Sequence, residues 1–142
     1  MSPDELSVYF ENPATDPLGY EHVSGRLRCG RDAVELQFDE ADRAFRKTPA
    51  QAVSFTYEEV DGVEYTGGWF QPKILTFRVK TPEKLAGFPG ADVGRVELRV
   101  IRKSRGDASK AAAFVEYKQS EAYLIESAER LEEKRNELES GL

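Results

Sequence analysis

The side chains best suited to chemistry in this chain are one imidazole, His22, and one thiol, Cys29. A nucleophilic triad needs a base, and Ser24 lies two residues from His22 in a segment that reads as extended, so the two side chains point the same way. No third residue that could orient the ring and no G-x-S-x-G elbow can be identified. The sequence therefore predicts no catalytic residue and no enzyme activity.

Metal and cofactor sites are not predicted either. The chain has one His and one Cys, without Cys-x-x-Cys or His-x-x-x-His spacing, and its glycine turns match no phosphate-binding loop. His22 reads as an exposed or loosely packed residue. Cys29 lies in an alternating run, which predicts a small buried apolar residue rather than a reactive thiol. Neighbouring carboxylates such as Glu58-Glu59 and Glu132-Glu133 point in different directions, which favours solvated surface over an acid/base pair.

Composition limits the class of protein and of partner. The chain has 142 residues, the size of one domain, and a formal net charge of −6 that disfavours nucleic acid as a partner. The N-terminal sequence lacks the basic and apolar regions of a signal peptide. No stretch reaches the roughly 18 to 20 apolar residues of a membrane span. We therefore expect a cytoplasmic protein.

Period-two alternation indicates six or seven short strands between about Gly25 and Ile101. Residues 1–24 form a Pro-rich arm in this interpretation, with Leu6, Val8, Tyr9 and Phe10 as a docking point on the following domain. The segment KILTFRVK places Leu75, Phe77 and Val79 inward and Thr76, Arg78 and Lys80 outward. The last strand, RVELRVIR, places Val96, Leu98 and Val100 inward. Short strands joined by compact turns favour an antiparallel barrel or sandwich.

A helical pattern begins near Asp107, with Asp107 or Ser104 as its cap, and continues without Gly or Pro to Ser140. Its apolar face is expected to cover the open end of the barrel, either as one long helix or as two in line. Residues 124–142 form a charged extension in which Leu124, Leu131 and Leu138 are seven apart, the spacing of a coiled-coil seam. Two interpretations remain open for this extension: a solvated helix end with intrahelical ion pairs, or a contact with another helix.

A basic stripe is a second candidate surface, because outward side chains of adjacent antiparallel strands share a face. An anion or lipid site would use the seven basic residues Arg78, Lys80, Arg95, Arg99, Arg102, Lys103 and Arg105. Glu97 and the acidic helix could instead balance this charge. Trp69 and Phe70 lie at a hairpin tip, where packing against the end of the barrel is expected and contact with a membrane or partner is the alternative.

The order of these segments resembles the pleckstrin-homology-like superfold in its bacterial and GRAM-type versions. The resemblance covers about Gly25 to Tyr123 and rests on SFTYEEVDGVEY, GWFQPKILTFRV, RVELRVIR and a helix containing AAAFVEY. It implies an α+β, mainly β, fold: a partly open antiparallel barrel of about seven strands, capped by a long C-terminal helix. Phosphoinositide-binding members carry basic residues on a long first hairpin loop, whereas here that loop is Gly30-Arg31-Asp32.

The leading hypothesis from the sequence is a noncatalytic interaction module that associates with a protein partner or with further copies of itself. A peripheral membrane module that binds anionic lipid through the basic stripe, with Trp69 and Phe70 as anchor, is the alternative.

Overall fold

The computed structural model describes residues 5–12, 23–38, 41–43, 46–48, 51–86 and 91–141 of the chain. His22 and most of the Pro-rich part of the arm lie outside the described residues. Within them the chain forms strands β1 Leu6–Asn12, β2 Val23–Cys29, β3 Ala33–Phe38, β4 Ala41–Arg43, β5 Arg46–Thr48, β6 Gln51–Thr56, β7 Val60–Thr66, β8 Ile74–Val79 and β9 Arg95–Arg99. Its helices are α1 Pro82–Leu85, a 3₁₀ helix over Arg102–Ser104, and α2 Arg105–Ser140.

Two antiparallel sheets form the body of the molecule. The first has the strand order β1-β2-β3-β6 and the second β7-β8-β9, while β4 and β5 form a separate hairpin. The two sheets meet where β1 approaches β9, through a bridge between Phe10 and Val100 and a hydrogen bond from Ile101 N to Tyr9 O at 3.1 Å. The prediction of an α+β fold with about seven antiparallel strands and a C-terminal helix is confirmed. The two sheets do not close into one continuous ladder.

The core lies between the two sheets and follows the alternation seen in the sequence, because successive strand residues point to opposite faces. Phe55 of the first sheet meets Phe77 of the second edge to face, with ring centroids 5.4 Å apart. The inward positions predicted for the last two strands are confirmed. Cys29 at the end of β2 is fully buried, as its alternating run predicted. The buried set from these strands includes Leu27, Cys29, Leu36, Phe55, Leu75, Phe77, Val79, Val96, Leu98 and Val100.

Thr76 departs from the predicted pattern, since it was assigned to the outward face but is only 6% exposed. It lies on β8, the central strand of its sheet, directly opposite Glu64 on β7 and Glu97 on β9. Side chains of the two neighbouring strands flank a residue at the centre of a sheet. Thr76 therefore points away from the core and is still buried, because it lies between the two neighbouring strands on the outer face of the sheet.

Strand β1 is the second departure, because its residues were assigned to an arm. It pairs along its whole length with β2, from Leu6 opposite Cys29 to Asn12 opposite Val23. Val8 and Phe10 are buried, as expected of docking residues, whereas Tyr9 is exposed. Of the prolines that indicated an irregular arm, Pro3 precedes this alternating segment and Pro13 and Pro17 follow it, so none interrupts the strand.

Helix α2 is one uninterrupted helix of 36 residues that contacts β1 and β2 of the first sheet and β7 of the second. It begins directly after Ser104, one of the two predicted caps. Neither predicted cap residue acts as a local cap: Ser104 Oγ accepts a hydrogen bond from Tyr9 N at 2.9 Å, and Asp107 Oδ2 accepts one from Ser7 N at 3.4 Å. Both residues therefore attach the helix start to β1.

Candidate functional site

The loop between β7 and β8 presents two aromatic side chains to solvent. Trp69 is 95% and Phe70 99% exposed, so the expectation that they pack against the end of the barrel is wrong. The loop backbone is held from one side, because Lys73 Nζ donates to the carbonyl oxygens of Gly67 and Gly68, each at 2.9 Å. The Lys73 side chain thus fills the inside of the loop, which leaves the two rings outside.

The basic residues predicted to form one stripe are divided by the structure. Arg78 on β8 lies directly opposite Arg95 on β9, and both are exposed, as is Arg99 at the other end of β9. Glu97 partly balances them, with Arg95 Nη2 at 2.8 Å from its carboxylate. The 3₁₀ helix and the start of α2 carry the exposed residues Arg102, Lys103 and Arg105.

Lys80 lies apart from this group, in a groove beside α2. That groove has a volume of about 350 Å³ and is lined in part by Glu58, Asp61 and Glu126. Lys80 is exposed and borders the same groove as these carboxylates. The structure brings together Arg78 and Arg95, leaves the remaining arginines spread along β9 and the helix start, and places Lys80 at a separate groove.

The β6–β7 turn carries a charged cluster that sequence reasoning missed. Glu59 accepts hydrogen bonds from Lys84 Nζ at 2.9 Å, Thr81 Oγ1 at 3.1 Å and Thr56 N at 3.1 Å. The Lys84 hydrogen bond is the main cause that lowers the pKa of the Glu59 carboxyl from 4.5 to about 2, and the Thr56 amide adds to it. Lys84 also lies 5.1 Å from the centre of the Phe55 ring. These contacts connect α1 to the β6–β7 turn, and we assign them a structural role.

The second half of α2 extends beyond the sheets as an exposed helix. The described residues of α2 that are buried end at Lys118, and every residue from Ala128 to Ser140 is exposed. Apolar side chains nevertheless continue along it, with exposed fractions between 55% and 72%. We call the stripe formed by Tyr117, Leu124, Ala128, Leu131 and Leu138 the helix seam.

The helix seam lies on the face of α2 that is turned away from the sheets. Leu124 follows the buried Val115 by nine residues, which is about two and a half helical turns and therefore the opposite side of the helix. Tyr117, Leu124, Leu131 and Leu138 repeat every seven residues, so their stripe drifts only slowly round the helix. The sheets thus cover one face of α2 and leave the helix seam free to meet another helix.

Intrahelical ion pairs also occur on this extension, as the other interpretation predicted. Arg130 pairs with Glu126 one turn earlier, and Lys118 Nζ lies 3.9 Å from Glu121. The exposed pair of Arg130 and Glu126 contributes only about 0.3 to 0.5 kcal/mol, whereas Lys118 is itself buried. These pairs support the helix without covering its leucines, so the two interpretations are compatible.

One member of the helix seam, Tyr117, was not singled out from the sequence, whereas Ile125 was assigned to the apolar face that covers the strands and is 55% exposed. Tyr117 precedes Leu124 by seven residues and could have been found by extending the leucine spacing backwards. The face of α2 that packs on the sheets carries the small apolar residues at three- and four-residue spacing, as the helical pattern predicts, with Ala108 and Ala111 fully buried.

A second groove adjoins the helix seam where α2 leaves the sheets. It has a volume of about 290 Å³ and is bordered by Arg31 and Asp32 of the β2–β3 turn, by Tyr57, and by Glu121 and Ile125 of α2. Gln119 fastens the helix at this point, since its Nε2 donates to the carbonyl oxygens of Tyr57 at 3.0 Å and Val60 at 2.8 Å. The position of the helix seam relative to the sheets is therefore fixed.

Two ionisable groups in the described part of the chain, those of Cys29 and Tyr57, lie in the core. Burial raises the pKa of the Cys29 thiol to about 12 and also raises the pKa of the Tyr57 hydroxyl, which donates to the Gly30 carbonyl oxygen. Among the described residues, no group of three or more His, Cys, Asp or Glu side chains is arranged to hold a metal ion.

The helices of the described residues include none that combines the length and the apolar character needed to cross a membrane. Comparison with known proteins found no matching protein-family model, no matching curated protein and no matching solved structure.

Proposed function

We propose that this protein is a noncatalytic interaction module of pleckstrin-homology-like architecture that acts by protein–protein association through the helix seam. The observation that carries the proposal is the heptad stripe of large apolar side chains, each more than half exposed, on the outer face of α2. The architecture is supported by the sheets of four and three strands with a C-terminal helix across both, as the sequence resemblance implies.

Energetics favour a partner on the helix seam. Burying one leucine side chain contributes about 1.5 to 3 kcal/mol, so Leu124, Leu131 and Leu138 together offer enough apolar surface to offset part of the entropy lost on association. A helix end that is only solvated has no need of leucines at heptad spacing, because the charged residues around them already favour solvent.

The test compares the full-length protein with the triple variant Leu124→Gln, Leu131→Gln, Leu138→Gln. We expect the protein to associate, either with itself or with a co-purifying protein, and the triple variant to lose that association. Glutamine keeps helix propensity and net charge, so α2 should remain folded. Light scattering on a sizing column between about 5 and about 200 µM gives the mass, because mass action sets the assembled fraction.

The matched control places three glutamines on the opposite face of the same extension, as Glu129→Gln, Glu133→Gln, Glu137→Gln. This control should associate like the wild type, since all three carboxylates are exposed and lie outside the helix seam. Equal mass and equal co-purifying proteins for the wild type and the leucine variant would show that the helix seam binds nothing.

A second candidate function, peripheral membrane binding, is favoured by one observation, the full exposure of Trp69 and Phe70 on a loop held by Lys73. Val100 N donates to Lys73 O at 2.9 Å, so the end of β9 that carries Arg99 adjoins this loop. Aromatic rings beside basic residues fit the interface of an anionic bilayer.

Fluorescence can test this second candidate directly, because Trp69 is the sole tryptophan of the chain. Vesicles of phosphatidylcholine with phosphatidylserine should shift its emission to the blue at low salt, and pure phosphatidylcholine vesicles should shift it less. Phe70→Ser should weaken binding, whereas Tyr123→Ser on the distant helix should not. An unshifted spectrum at low salt would exclude this candidate, since screening only weakens such binding.

A further inference from the structure

We propose that the partner of the helix seam is a second copy of this chain, and that the two α2 extensions pair in antiparallel orientation. This inference rests on the proposed function and adds to it the identity of the partner and the direction of its helix. The argument comes from two charged residues, Glu121 and Arg135, which share the face of the helix seam.

Glu121 and Arg135 occupy the second core position of the heptad repeat. A heptad repeat has two core positions, a and d. We place the seven-residue series Tyr117, Leu124, Leu131 and Leu138 at position d. Position a, three residues before each of them, then holds Phe114, Glu121, Ala128 and Arg135. Glu121 is therefore a carboxylate near the sheets and Arg135 a cation near the helix tip, both within the apolar stripe. Lys118 Nζ lies 3.9 Å from Glu121 at the edge of the stripe, whereas Arg135 lies farther along the stripe. A helix laid along the helix seam must therefore above all provide for Arg135, because an unpaired charge in such a contact is costly.

A parallel pair of copies does not satisfy these charges. In parallel register each core residue meets its own equivalent, so Glu121 would face Glu121 of the second copy and Arg135 would face another arginine. Like charges at such close range repel, and both pairs would lie in a partly desolvated seam. The sequence of the helix seam thus disfavours parallel self-association.

An antiparallel pair reverses the order of the charges along the seam. When Ala128 is set against Leu131 of the second copy, Leu124 faces Arg135 of that copy and Glu121 faces its Leu138. Glu121 then lies about 4.5 Å along the axis from Arg135 of the second copy, within reach of an ion pair. The two-fold axis repeats this pair at the other end. The small Ala128 accommodates Leu131, and the stem of Arg135 covers Leu124.

The position of the sheets allows this arrangement. The helix seam faces away from them, so a second helix can lie along α2 without displacing β7, which packs on the other face. Its tip reaches Glu121, beside the point where α2 leaves the sheets. A two-fold contact uses the same surface on both copies and closes at two chains.

The first test exchanges the two charges and measures dimer dissociation by sedimentation equilibrium. Glu121→Arg and Arg135→Glu should each weaken the dimer by about tenfold or more, and the double variant should return to within about threefold of the wild type. Glu133→Arg makes the same change of charge on the opposite face, so it should shift dissociation by less than about threefold. Circular dichroism checks that α2 remains helical in each variant.

The second test measures helix direction from one spin label per chain. Ser140→Cys places a thiol at the exposed tip of α2, while Cys29 is fully buried and stays unlabelled in the folded protein. Ser140 lies on the face opposite the helix seam, so in a parallel pair the two labelled residues are separated only across the pair, by about 15 Å between Cα atoms. The antiparallel pair adds a separation of about 30 Å along the axis.

The outcomes separate this inference from the proposed function. A dimer that needs the leucines, with charge rescue and a long label distance, supports both. A leucine-dependent dimer with a short distance or without charge rescue overturns the antiparallel pairing and keeps the proposed function. A wild-type chain that stays monomeric at about 200 µM overturns the second copy as partner, by mass action. The proposed function would then be decided by whether the leucine variant loses a co-purifying protein.

Discussion

At the scale of single residues, the polar groups of the core show how this protein is held together. Tyr57 is buried and its hydroxyl donates to the carbonyl oxygen of Gly30, at the turn between β2 and β3. A buried carbonyl that loses its donor keeps the cost of desolvation without compensation. Tyr57 therefore links the end of β6 to the first hairpin through one hydrogen bond.

We expect Tyr57→Phe to lower the free energy of unfolding by about 1 to 2 kcal/mol, because it removes this hydroxyl and leaves the Gly30 carbonyl buried. Urea denaturation followed by circular dichroism measures the change. Tyr123→Phe is the matched control, since its ring is largely exposed, and its effect should stay below about 0.5 kcal/mol. Equal effects for both variants would show that the Tyr57 hydrogen bond contributes nothing.

Glu59 leads to a prediction about pH. Its folded pKa of about 2 lies below the ordinary 4.5, so the unfolded chain binds a proton more readily than the folded one. The stabilisation is fully present above about pH 4.5 and is lost as the pH falls towards 2. We expect the urea midpoint of the wild type to fall more between pH 7 and pH 3 than that of Glu59→Gln.

The control for this pH effect is Glu58→Gln, which removes an exposed neighbouring carboxylate and leaves the Lys84 contact intact. Its midpoint should fall in parallel with the wild type. If Glu59→Gln also follows the wild type, the contact between Glu59 and Lys84 does not contribute to acid sensitivity.

At the scale of elements, alternation predicted the strands well because period two is a strong local signal wherever one face is buried. It failed for Thr76, whose burial depends on two neighbouring strands, and for Trp69 and Phe70, whose position depends on how Lys73 holds its loop. β1 was missed because the prolines after it outweighed its own alternation. Of these errors, the one on Thr76 concerns contacts between segments distant in sequence, which no local pattern contains.

Two glycines that differ in the space around them, Gly25 in β2 and Gly106 in α2, lead to a prediction. A Cβ atom at Gly25 would lie 2.7 Å from Phe38 Cα and closer still to the Gln37 carbonyl oxygen, so the two backbones must separate to admit it. We expect Gly25→Ala to destabilise the fold by about 3 kcal/mol or more. At Gly106, in the first turn of α2, nothing lies within 4 Å of the added atom.

Gly106→Ala should therefore stabilise the protein by about 0.5 kcal/mol, through the higher helix propensity of alanine. Thermal unfolding of both variants gives the comparison. A Gly25→Ala protein with an unchanged midpoint would mean that β2 and β3 are farther apart than described.

At the scale of the whole molecule, the candidate site could be predicted from sequence only in part. The spacing of Leu124, Leu131 and Leu138 pointed to the helix extension, because a heptad repeat is visible in sequence. The small apolar residues earlier in the helix, at three- and four-residue spacing, predicted the face that covers the strands, and their burial confirms it. What the sequence left open was whether another helix covers the leucines. Alanines at the helix start allow close packing there, and the leucines remain outside.

The separation of α2 into a packed half and an exposed half leads to the last prediction. Ending the chain after Ser127 removes residues 128–141, which are all exposed, together with Leu142, which lies outside the described residues. The free energy of unfolding should therefore change by less than about 0.5 kcal/mol. The experiment is done at about 1 µM, where any association through the helix seam contributes least. Cys29 supplies a second measurement, because its buried thiol reacts with a disulfide reagent only when the core opens.

We therefore expect the truncated chain to protect Cys29 as well as the full chain does. Val115→Ala is the contrasting variant, since it leaves the tail intact but opens a cavity beneath the packed half of α2. It should cost about 2 kcal/mol and speed the labelling of Cys29 about 30-fold, if opening precedes reaction. Faster labelling of the truncated chain would instead mean that the exposed half of α2 supports the core, and that its leucines serve the fold before any partner.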